Sequence, residues 1–475
     1  MLHKKPFNIY ILQILFTLSE SILRVFLWSL NRLLGLFILT TPEMDHLPTV
    51  VLSTALVLPY LTLLFATLPF GLIGFVLRCL LHQLRHPYVY SYQKPVFPLS
   101  KHVPETVAIT TSNICLLPEF LSRYNNMLDT AGRARTIGER FVCDDYLSAK
   151  KRDRIETIGA AKANGPSTIS SKNKCDNFPK TERHHFNWNQ NTSSSDYKNS
   201  LRQRTNAANT DYMEFTRSVV TNFPQLDIVC FQETWDRDFA KILLDKIHSV
   251  FPYVVYDAGS CNSQSNLFML NSGLMIASKF PIEDADFKWF QASTLACRFS
   301  AKGLLMVKVF LGEENGKRAV GYIYNTHLQA YEGEARLQTH PIYNFYEDIP
   351  RAGPGKDHSW TVGTELRPLL LWDKAISTPM GLKRVLEDSH LCHNFVNDAN
   401  IVKKTISELC HTLPQLDEHG EMKISPHIAG KRRIDRVLYR KSDCLTLKAY
   451  NFVTRLASLT DHIPVTMTIY IPSDS

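Results

Sequence analysis

The sequence predicts an α/β fold in which two β-sheets pack on each other between helices, a four-layer sandwich, preceded by a hydrophobic helical region. Three observations support this prediction. Residues 47–77 contain no charged side chain. Beyond residue 105, short runs of β-branched and aromatic residues recur with few helical stretches between them. Hydrophobic residues make up 44% of the 475 residues, which is enough for a packed core.

Residues 1–90 hold two hydrophobic segments that we expect to anchor the chain to a membrane. A spanning helix needs about 20 apolar residues, and the uncharged run from 47 to 77 is longer than that. Pro59 and Pro69 interrupt the run, so a re-entrant hairpin competes with a straight span. A buried helix of a soluble protein is the third alternative.

The preceding segment, residues 7–39, is predicted to be an amphipathic helix in the membrane interface. Its polar residues recur at helical spacing and form one stripe: Gln13, Thr17, Glu20, Arg24 and Asn31. An arginine at the bilayer centre costs about 2.5–3.5 kcal/mol, which disfavours a clean span. Lys and Arg flank the two segments only on their outer sides, so the positive-inside rule places the globular part in the cytosol.

The net charge of +8 does not indicate a nucleic-acid-binding protein. Residues 151–210 hold 11 Lys and Arg against 5 Asp and Glu, so the rest of the chain is nearly balanced. The interval 145–215 is poor in bulky apolar residues and rich in Asn, Ser and Lys. We therefore expect a disordered basic insert, suited to contact with anionic lipids, that interrupts a catalytic domain over 105–475.

The elements of that domain are predicted from short apolar runs, and no internal repeat is visible. Strand-like runs lie at 107–117, 226–233, 253–259, 271–278, 303–312, 319–328, 433–440, 447–454 and 462–471. Helical patterns lie at 118–141 and 236–251.

Polar residues stand at the ends of several strand-like runs, where a two-sheet scaffold would hold catalytic groups. They are Asn113, Glu233, His327, Asp461 and His462. A carboxylate and an amide oxygen suit a hard cation such as Mg²⁺. Two histidines beside a metal suit attack of water at phosphorus, one as the base and one at the leaving oxygen. Each residue taken alone is more often structural, so the prediction depends on the whole set.

The sequence around these residues resembles the endonuclease/exonuclease/phosphatase superfamily, which includes deoxyribonuclease I, and within it the membrane-anchored neutral sphingomyelinases. The matching motifs are NICLLPE (113–119), RARTIGER (133–140), CFQE (230–233), LNSGL (270–274), THL (326–328), KRRIDRVLY (431–439) and DHIP (461–464). The resemblance covers nearly the whole chain except the insert. It implies a two-sheet sandwich of the deoxyribonuclease I-like type.

The resemblance also implies the activity, which is hydrolysis of sphingomyelin to ceramide and phosphocholine with Mg²⁺, or alternatively Mn²⁺. Anionic phospholipids of the cytosolic leaflet would be partners, nucleic acid would not, and the membrane would be the plasma membrane or the Golgi. The implied roles are Glu233 and Asn113 for the metal, His462 as the base, Asp435 as its orienting group, Asp461 in the metal-side network, His327 at the phosphoryl oxygens or leaving group, and Lys302 and Asn271 for the substrate.

One departure from the family concerns its Gly-Asp-Phe-Asn strand, whose Asp and Asn contact the phosphate and the attacking water. No GDFN occurs here, and the sequence after Thr339 passes directly into a region that resembles sequence beyond that strand. Asp398 and Asn400 have the right spacing but follow the WxxGT segment, which is the wrong topology. Loss of one preorganised polar group typically costs about 10²–10³ in rate, so we expect an impaired enzyme. A truncated gene model, an exon-skipped form and an evolved pseudoenzyme are all compatible with the sequence.

The ten cysteines form no CxxC pair and no Cys/His cluster, which argues against a disulfide framework, a zinc finger or an iron–sulfur site. Cys79, beside the hydrophobic segments, is a better candidate for lipidation than Cys261, and a plain apolar thiol is the alternative. In the family, an Asp and the Lys matched by Lys302 act together as a switch over the site. Cys297 stands at the place of that Asp here, so we do not expect such a switch in this chain.

Two other functions stay open at this point. The first is a nuclease or an inositol-phosphate phosphatase on the same scaffold, which the N-terminal apolar run and the balanced charge disfavour. The second is a non-catalytic membrane protein that binds lipid or a partner, which the missing GDFN segment favours.

Overall fold

The computed structural model describes residues 2–95, 102–163, 216–328 and 435–472, with short gaps at 45, 124–126, 221, 260–269, 291–299, 436, 440–442, 444, 457–458 and 463, and Arg384 alone between 329 and 434. The chain divides into two compact units, one of Met1–Ala149 with Thr216–Ser475 and one of Lys150–Phe215. The second unit is described only where it continues a helix of the first. All the site residues lie in the first unit.

Two long helices dominate the N-terminal region: α1 (Tyr10–Phe37) and α3 (Leu47–His82), with the short α2 (Thr41–Met44) between them. Both long helices have the length and apolar character to cross a membrane, and only 17% of the most apolar window of each is buried. A core helix of a soluble protein would be mostly buried, which these windows are not. α3 continues through Pro59 and Pro69 as one helix, without the break of a re-entrant hairpin.

α1 and α3 pack closely through small residues. A Cβ at Gly74 would stand 2.9 Å from the backbone nitrogen of Leu23 and 3.0 Å from the carbonyl oxygen of Ser19. The buried Ser19 hydroxyl donates a hydrogen bond to its own helix, at the carbonyl of Phe16. Small residues at such a contact let two helix backbones approach each other, as in membrane helix pairs.

The polar stripe of α1 faces the rest of the protein. Glu20 forms an ion pair of 2.8 Å with Arg78 of α3, and Asn31 accepts a hydrogen bond of 2.9 Å from the backbone N–H of Phe120. Arg24 lies 3.4 Å from Asp238. The polar stripe predicted a helix with one face in water. At these three positions its side chains instead contact other parts of the protein.

An eight-stranded sheet and the helices beside it form the centre of the globular part. Its elements are β1 (Val89–Tyr92), β2 (Thr106–Asn113), α4 (Glu119–Ser122), α5 (Thr130–Ala163), β3 (Thr216–Val220), β4 (Ile228–Gln232), α6 (Arg237–Ile247), β5 (Tyr253–Tyr256), β6 (Met275–Ser278), β10 (Thr446–Val453) and β11 (Val465–Tyr470). The strand order is β1-β5-β6-β4-β2-β11-β10-β3. β2 and β4 are parallel neighbours, so their carboxyl ends lie side by side.

A second sheet of three antiparallel strands contains β7 (Ile282–Trp289), β8 (Gly303–Glu314) and β9 (Lys317–Thr326). Along β8, Leu305, Val307 and Val309 are buried and alternate with more exposed residues, as expected of a strand with one face in the core. One core cluster joins the large sheet to α5 and α6, and Phe141 of α5 stacks on Phe223 at 4.3 Å between ring centres.

The two-sheet α/β architecture and nearly all the predicted elements are confirmed. β1, β3 and β7 were missed, since each is short or carries several polar residues. α5 begins at Thr130 rather than near 118, and it ends at Ala163, inside the interval 145–215 assigned to the insert. Most of the predicted strand at 433–440, and the place of the expected strand loss after Thr339, lie outside the described residues.

Candidate active site

The site begins where β2 and β4 end. Asn113 is the last residue of β2 and pairs in register with Gln232 of β4, so Glu233 follows directly beside it. The side-chain oxygen of Asn113 accepts a hydrogen bond of 3.2 Å from the N–H of Cys115. The two oxygen-bearing side chains therefore come together because their strands are parallel neighbours.

The backbone around Glu233 is held in a strained conformation. Glu233 has φ of 62° and Cys115 has φ of 50°, in the left-handed region that ordinary residues avoid. The N–H of Leu116 donates to the Glu233 carbonyl at 2.9 Å, and the N–H of Thr234 donates to the Gly273 carbonyl at 3.0 Å. Strain of this kind persists only where the surrounding contacts enforce it, and it is typical of functional sites.

Glu233 has an unusual electrostatic environment. Burial, and then the negative charge of Asp461, raise the pKa of Glu233, while His462 and a hydrogen bond with Asn113 oppose that rise. Two carboxylates that repel each other in a buried pocket are stabilised by a positive charge between them. The pocket therefore favours binding of a cation.

His462 lies next to these carboxylates and is hydrogen-bonded to Asp435. Its Nδ1 is 2.9 Å from one carboxylate oxygen of Asp435 and 3.1 Å from the other. Burial alone would lower the pKa of His462, but the charge and hydrogen bond of Asp435, with Asp461 and Glu233, raise it to about 10. Because Nδ1 donates to Asp435, proton exchange with a reacting group would occur at Nε2.

His327 approaches the same pocket from the second sheet, directly after β9. Its Nε2 lies 3.6 Å from a carboxylate oxygen of Glu233. Burial, with the charges of Lys302 and His462, lowers the pKa of His327 well below its usual value, so the ring is neutral at neutral pH. A neutral imidazole here is suited to hydrogen bonding with an oxygen of a bound phosphodiester.

Trp235 supports His327 and was not identified from the sequence. The two rings stack with centres 5.6 Å apart and planes inclined by 30°. A Cβ at Gly273, which has φ of 70°, would stand 2.3 Å from the indole nitrogen, so only glycine leaves room for this ring. The signal available in the sequence was an aromatic residue two positions after Glu233, which is too common to stand out.

A buried polar contact between the two sheets positions β9 against β4. The amide of Gln232 donates to the side-chain oxygen of Asn325 at 2.6 Å, and the amide of Asn325 donates to the carbonyl of Phe231 at 2.8 Å. Gln232 directly precedes Glu233, and Asn325 lies two residues before His327. Sequence reasoning missed this pair, because neither residue is distinctive until the sheets are packed.

The two residues predicted to bind substrate, Lys302 and Asn271, make different contacts in the structure. Lys302 is buried, donates to the Leu328 carbonyl at 2.9 Å and lies 5.8 Å from the centre of the Trp235 ring. Asn271 donates to Asp257 at 3.1 Å and accepts from the N–H of Gly273 at 2.8 Å. These contacts hold the turn of the NSG motif, and a direct contact of Asn271 with substrate stays a prediction.

The other candidates are not brought into the pocket by the described structure. Asp398, Asn400, Cys261 and Cys297 lie outside the described residues. Cys79 is partly buried in α3 as a free thiol, remote in sequence from the site strands.

The donors at the pocket fit a hard divalent cation. Glu233 offers a carboxylate and Asn113 an amide oxygen, the ligand types that Mg²⁺ prefers. Among the described residues, no group of three or more His, Cys, Asp or Glu side chains is arranged to hold an ion.

Comparison with known proteins finds a family match over part of the chain and similar proteins over its whole length. Residues 187–362 match the model of the Endonuclease/Exonuclease/phosphatase family. Sphingomyelin phosphodiesterase 5 of Danio rerio is 28% identical over 569 aligned positions, covering 100% of this chain and 99% of that protein. Sphingomyelin phosphodiesterase 3 of Homo sapiens is 24% identical, and the alignment covers 100% of this chain and 99% of that protein.

Among solved structures, a beta toxin mutant from Staphylococcus aureus with bound magnesium ions is 14% identical, covers 77% of this chain and 99% of its own, and superposes with a TM-score of 0.33. The relatives found by sequence span the whole chain, including the strands that carry Asn113, Glu233 and His462. The chain is therefore similar over its whole length to sphingomyelin phosphodiesterases, and part of it matches the Endonuclease/Exonuclease/phosphatase family.

Proposed function

We propose that the chain derives from a membrane-anchored, Mg²⁺-dependent enzyme that hydrolyses sphingomyelin to ceramide and phosphocholine. The observation that carries this proposal is the convergence of Glu233, Asn113, His327 and the His462–Asp435 pair at one end of two packed sheets. The full-length similarity to sphingomyelin phosphodiesterases supports sphingomyelin as the substrate.

The residues divide the chemistry between them. His462 accepts the proton of the attacking water at Nε2, and Asp435 holds the ring in the orientation and tautomer that this transfer needs. Neutral His327 hydrogen-bonds the phosphoryl oxygens or the leaving ceramide oxygen. Glu233 and Asn113 would hold Mg²⁺, which would supply positive charge against the negative charge that develops on the phosphorus-bound oxygens.

The base must be neutral, whereas the surrounding carboxylates keep His462 protonated at neutral pH. Glu233 and Asp461 contribute to that protonation. A divalent cation held by Glu233 would offset part of their charge and so would favour the neutral form of His462, which can accept a proton.

The membrane part of the proposal assigns residues 1–90 to anchoring, 105–475 to the catalytic domain and 145–215 to a basic insert near anionic lipids. α1 and α3 have the required length and exposed apolar surface. The basic flanks of the two helices support a cytosolic catalytic domain at the plasma membrane or the Golgi, with Cys79 as the lipidation site.

The missing GDFN segment supports reduced activity of this chain. The alignment with the zebrafish relative extends over 569 positions, more than the 475 residues present here, so that relative contains segments that this chain lacks. Asp398 and Asn400 are the residues to mutate if activity persists.

Phosphocholine release from sphingomyelin vesicles, measured across a Mg²⁺ titration, tests the proposal. A chain with a family GDFN segment restored after Thr339 should exceed the present chain by about 10²-fold or more. In the restored chain, Glu233→Gln should remove the Mg²⁺-dependent turnover, because it replaces the carboxylate ligand with a neutral amide of the same size.

Glu139→Gln, at an exposed position on α5, is the matched control and should change nothing. Equal turnover in the present and restored chains would show that the missing segment is not the lesion. Full Mg²⁺-dependent turnover in Glu233→Gln would contradict the assigned metal site.

The second candidate function is a non-catalytic membrane protein that binds sphingomyelin or a partner. The observation that favours it is the absent GDFN segment. Saturable binding of the present chain to sphingomyelin vesicles without any phosphocholine release, in the presence of Mg²⁺, would support this candidate over the enzyme.

A further inference from the structure

Arg133, in the first turn of α5, is a buried cation outside the reacting groups. Only 6% of its surface is exposed. In the part of the chain that the structure describes, its guanidinium donates to six neutral acceptors, and these are the carbonyls of Ile114, Cys115, Leu128 and Leu459 and the hydroxyls of Ser122 and Thr130.

Three of the six acceptors belong to two loops that carry site residues. Ile114 and Cys115 directly follow Asn113 at the end of β2, and the Cys115 carbonyl is 2.9 Å from the guanidinium. Leu459, whose carbonyl is also 2.9 Å away, precedes Asp461 and His462 at the start of β11. One planar side chain therefore connects the loop of the proposed metal ligand to the loop of the proposed base.

A second contact joins the same two loops at their closest point. The buried Thr460 hydroxyl donates to the Asn113 carbonyl at 2.8 Å. The Arg133 and Thr460 hydrogen bonds use different acceptor atoms but hold the same two loops together. Loss of either should therefore let the two loops separate.

We propose that Arg133 is a positioning residue that fixes the distance between the Asn113 loop and the Asp461–His462 loop. The consequence for metal binding and turnover rests on the proposed function, whereas the fixing of the loops does not. Arginine suits this role because it presents five N–H groups in a rigid plane, while lysine presents three on a flexible stem. An apolar residue of similar length would leave several buried carbonyls without a donor.

The first test is amide hydrogen exchange of the full chain in detergent, which requires neither metal nor activity. Arg133→Met should accelerate exchange in residues 113–117 and 459–462 by at least tenfold, with β8 and β9 unchanged. Arg133→Lys should fall between Arg133→Met and the unmodified chain. The matched control is Arg140→Met, two turns further along α5, where the arginine donates to the Arg455 carbonyl.

The second test uses Mn²⁺ as the metal probe, with its dissociation constant measured by electron paramagnetic resonance. Changes in residues that support ligands typically weaken metal binding about 10–100-fold, and Arg133→Met should do so while Arg140→Met does not. Thr460→Val should weaken binding as well, and the double variant should lose less than the product of the two single losses, because both contacts hold one junction.

Unchanged exchange in both loops of Arg133→Met, or equal acceleration throughout the sheets, would overturn the positioning role. If Arg133→Met fails to fold, exchange in the two loops of Arg133→Lys and Thr460→Val is compared with exchange in the sheets, and the same outcomes support or overturn the positioning role. Failure of Mn²⁺ to bind the unmodified chain, or equal binding by Glu233→Gln, would reject the proposed metal site and leave the exchange result to decide on Arg133.

Discussion

At the scale of single residues, the site depends on groups whose protonation is set by neighbours rather than by residue type. His462 and His327 stand at one pocket and are shifted in opposite directions, the first by the carboxylate of Asp435 and the second by burial and two nearby cations. At neutral pH the first is therefore protonated and the second neutral, so the base role proposed for His462 requires that His462 first lose its proton. The strained backbone at Glu233 fixes the third group against both of them.

This arrangement predicts the effect of Asp435→Asn on His462. Asp435 is the largest influence that raises the pKa of His462, so its removal should move the imidazole titration down from about 10. The measurement is a ¹³C nuclear magnetic resonance titration of labelled histidine in the metal-free protein. Asp443→Asn, at an exposed position nearby in sequence, is the control and should leave the titration in place. An unchanged midpoint in Asp435→Asn would show that the pair does not set the protonation of His462.

At the scale of elements, a buried ion-pair network connects α3, β5 and α6. Asp257, at the end of β5, pairs with Arg85, which follows α3, and with Arg237 at the start of α6, where the Nε–carboxylate distance is 2.9 Å. Asn271 of the NSG turn donates to the same carboxylate. The membrane-proximal helix and the helix that follows Glu233 are therefore held by one side chain.

The network predicts a pH-dependent contribution to stability. Burial alone would raise the pKa of Asp257, but Arg237, Arg85 and Asn271 lower it far below its usual value. A carboxylate with a depressed folded pKa stabilises the fold fully above its unfolded pKa of about 3.9, and that contribution is lost as pH falls toward the folded pKa.

Asp257→Asn should therefore lower the free energy of unfolding by about 3–5 kcal/mol at pH 7, because it leaves two buried arginines without their carboxylate. The deficit should shrink below about pH 4, because Asp257 of the unmodified chain then binds a proton in the unfolded state but not in the folded state, which favours unfolding. Chemical unfolding in detergent at both pH values measures it. Asp238→Asn, at a half-exposed ion pair, should cost under about 1 kcal/mol. A deficit that is the same at pH 7 and pH 3 would exclude the charge as its cause.

At the scale of the whole molecule, the N-terminal helices and the globular part are joined by polar contacts, whereas the exposed face of the helices is apolar. Glu20 of α1 lies 3.4 Å from Arg237, and Arg123 pairs with Glu43 at 2.7 Å. Large side chains on α3, such as Leu58 and Phe65, are exposed. Polar contacts toward the domain and apolar surface on the other side fit helices that hold the domain against a bilayer.

The full chain should therefore stay in the membrane fraction after carbonate extraction. Leu58→Asp combined with Phe65→Asp should release a large share of it, because both charges would lie in the apolar surface. Tyr322→Asp combined with Tyr324→Asp, on exposed positions of β9, is the matched control and should not affect retention. Protease added outside sealed vesicles should cleave within 145–215. Extraction of the unmodified chain by carbonate would contradict membrane insertion.

The sequence by itself determined the two-sheet class, most strand positions and the set of polar residues at the strand ends, because strand periodicity and end residues are local features. It also located the N-terminal apolar helices, since their length and composition suffice for that. Only the tertiary structure brought in Trp235, Asn325, Thr460 and Arg133, and it turned the polar stripe of α1 toward the domain. The physical reason is that these side chains act through contacts between elements far apart in sequence, and no local pattern records which strand end, loop carbonyl or ring will lie opposite them.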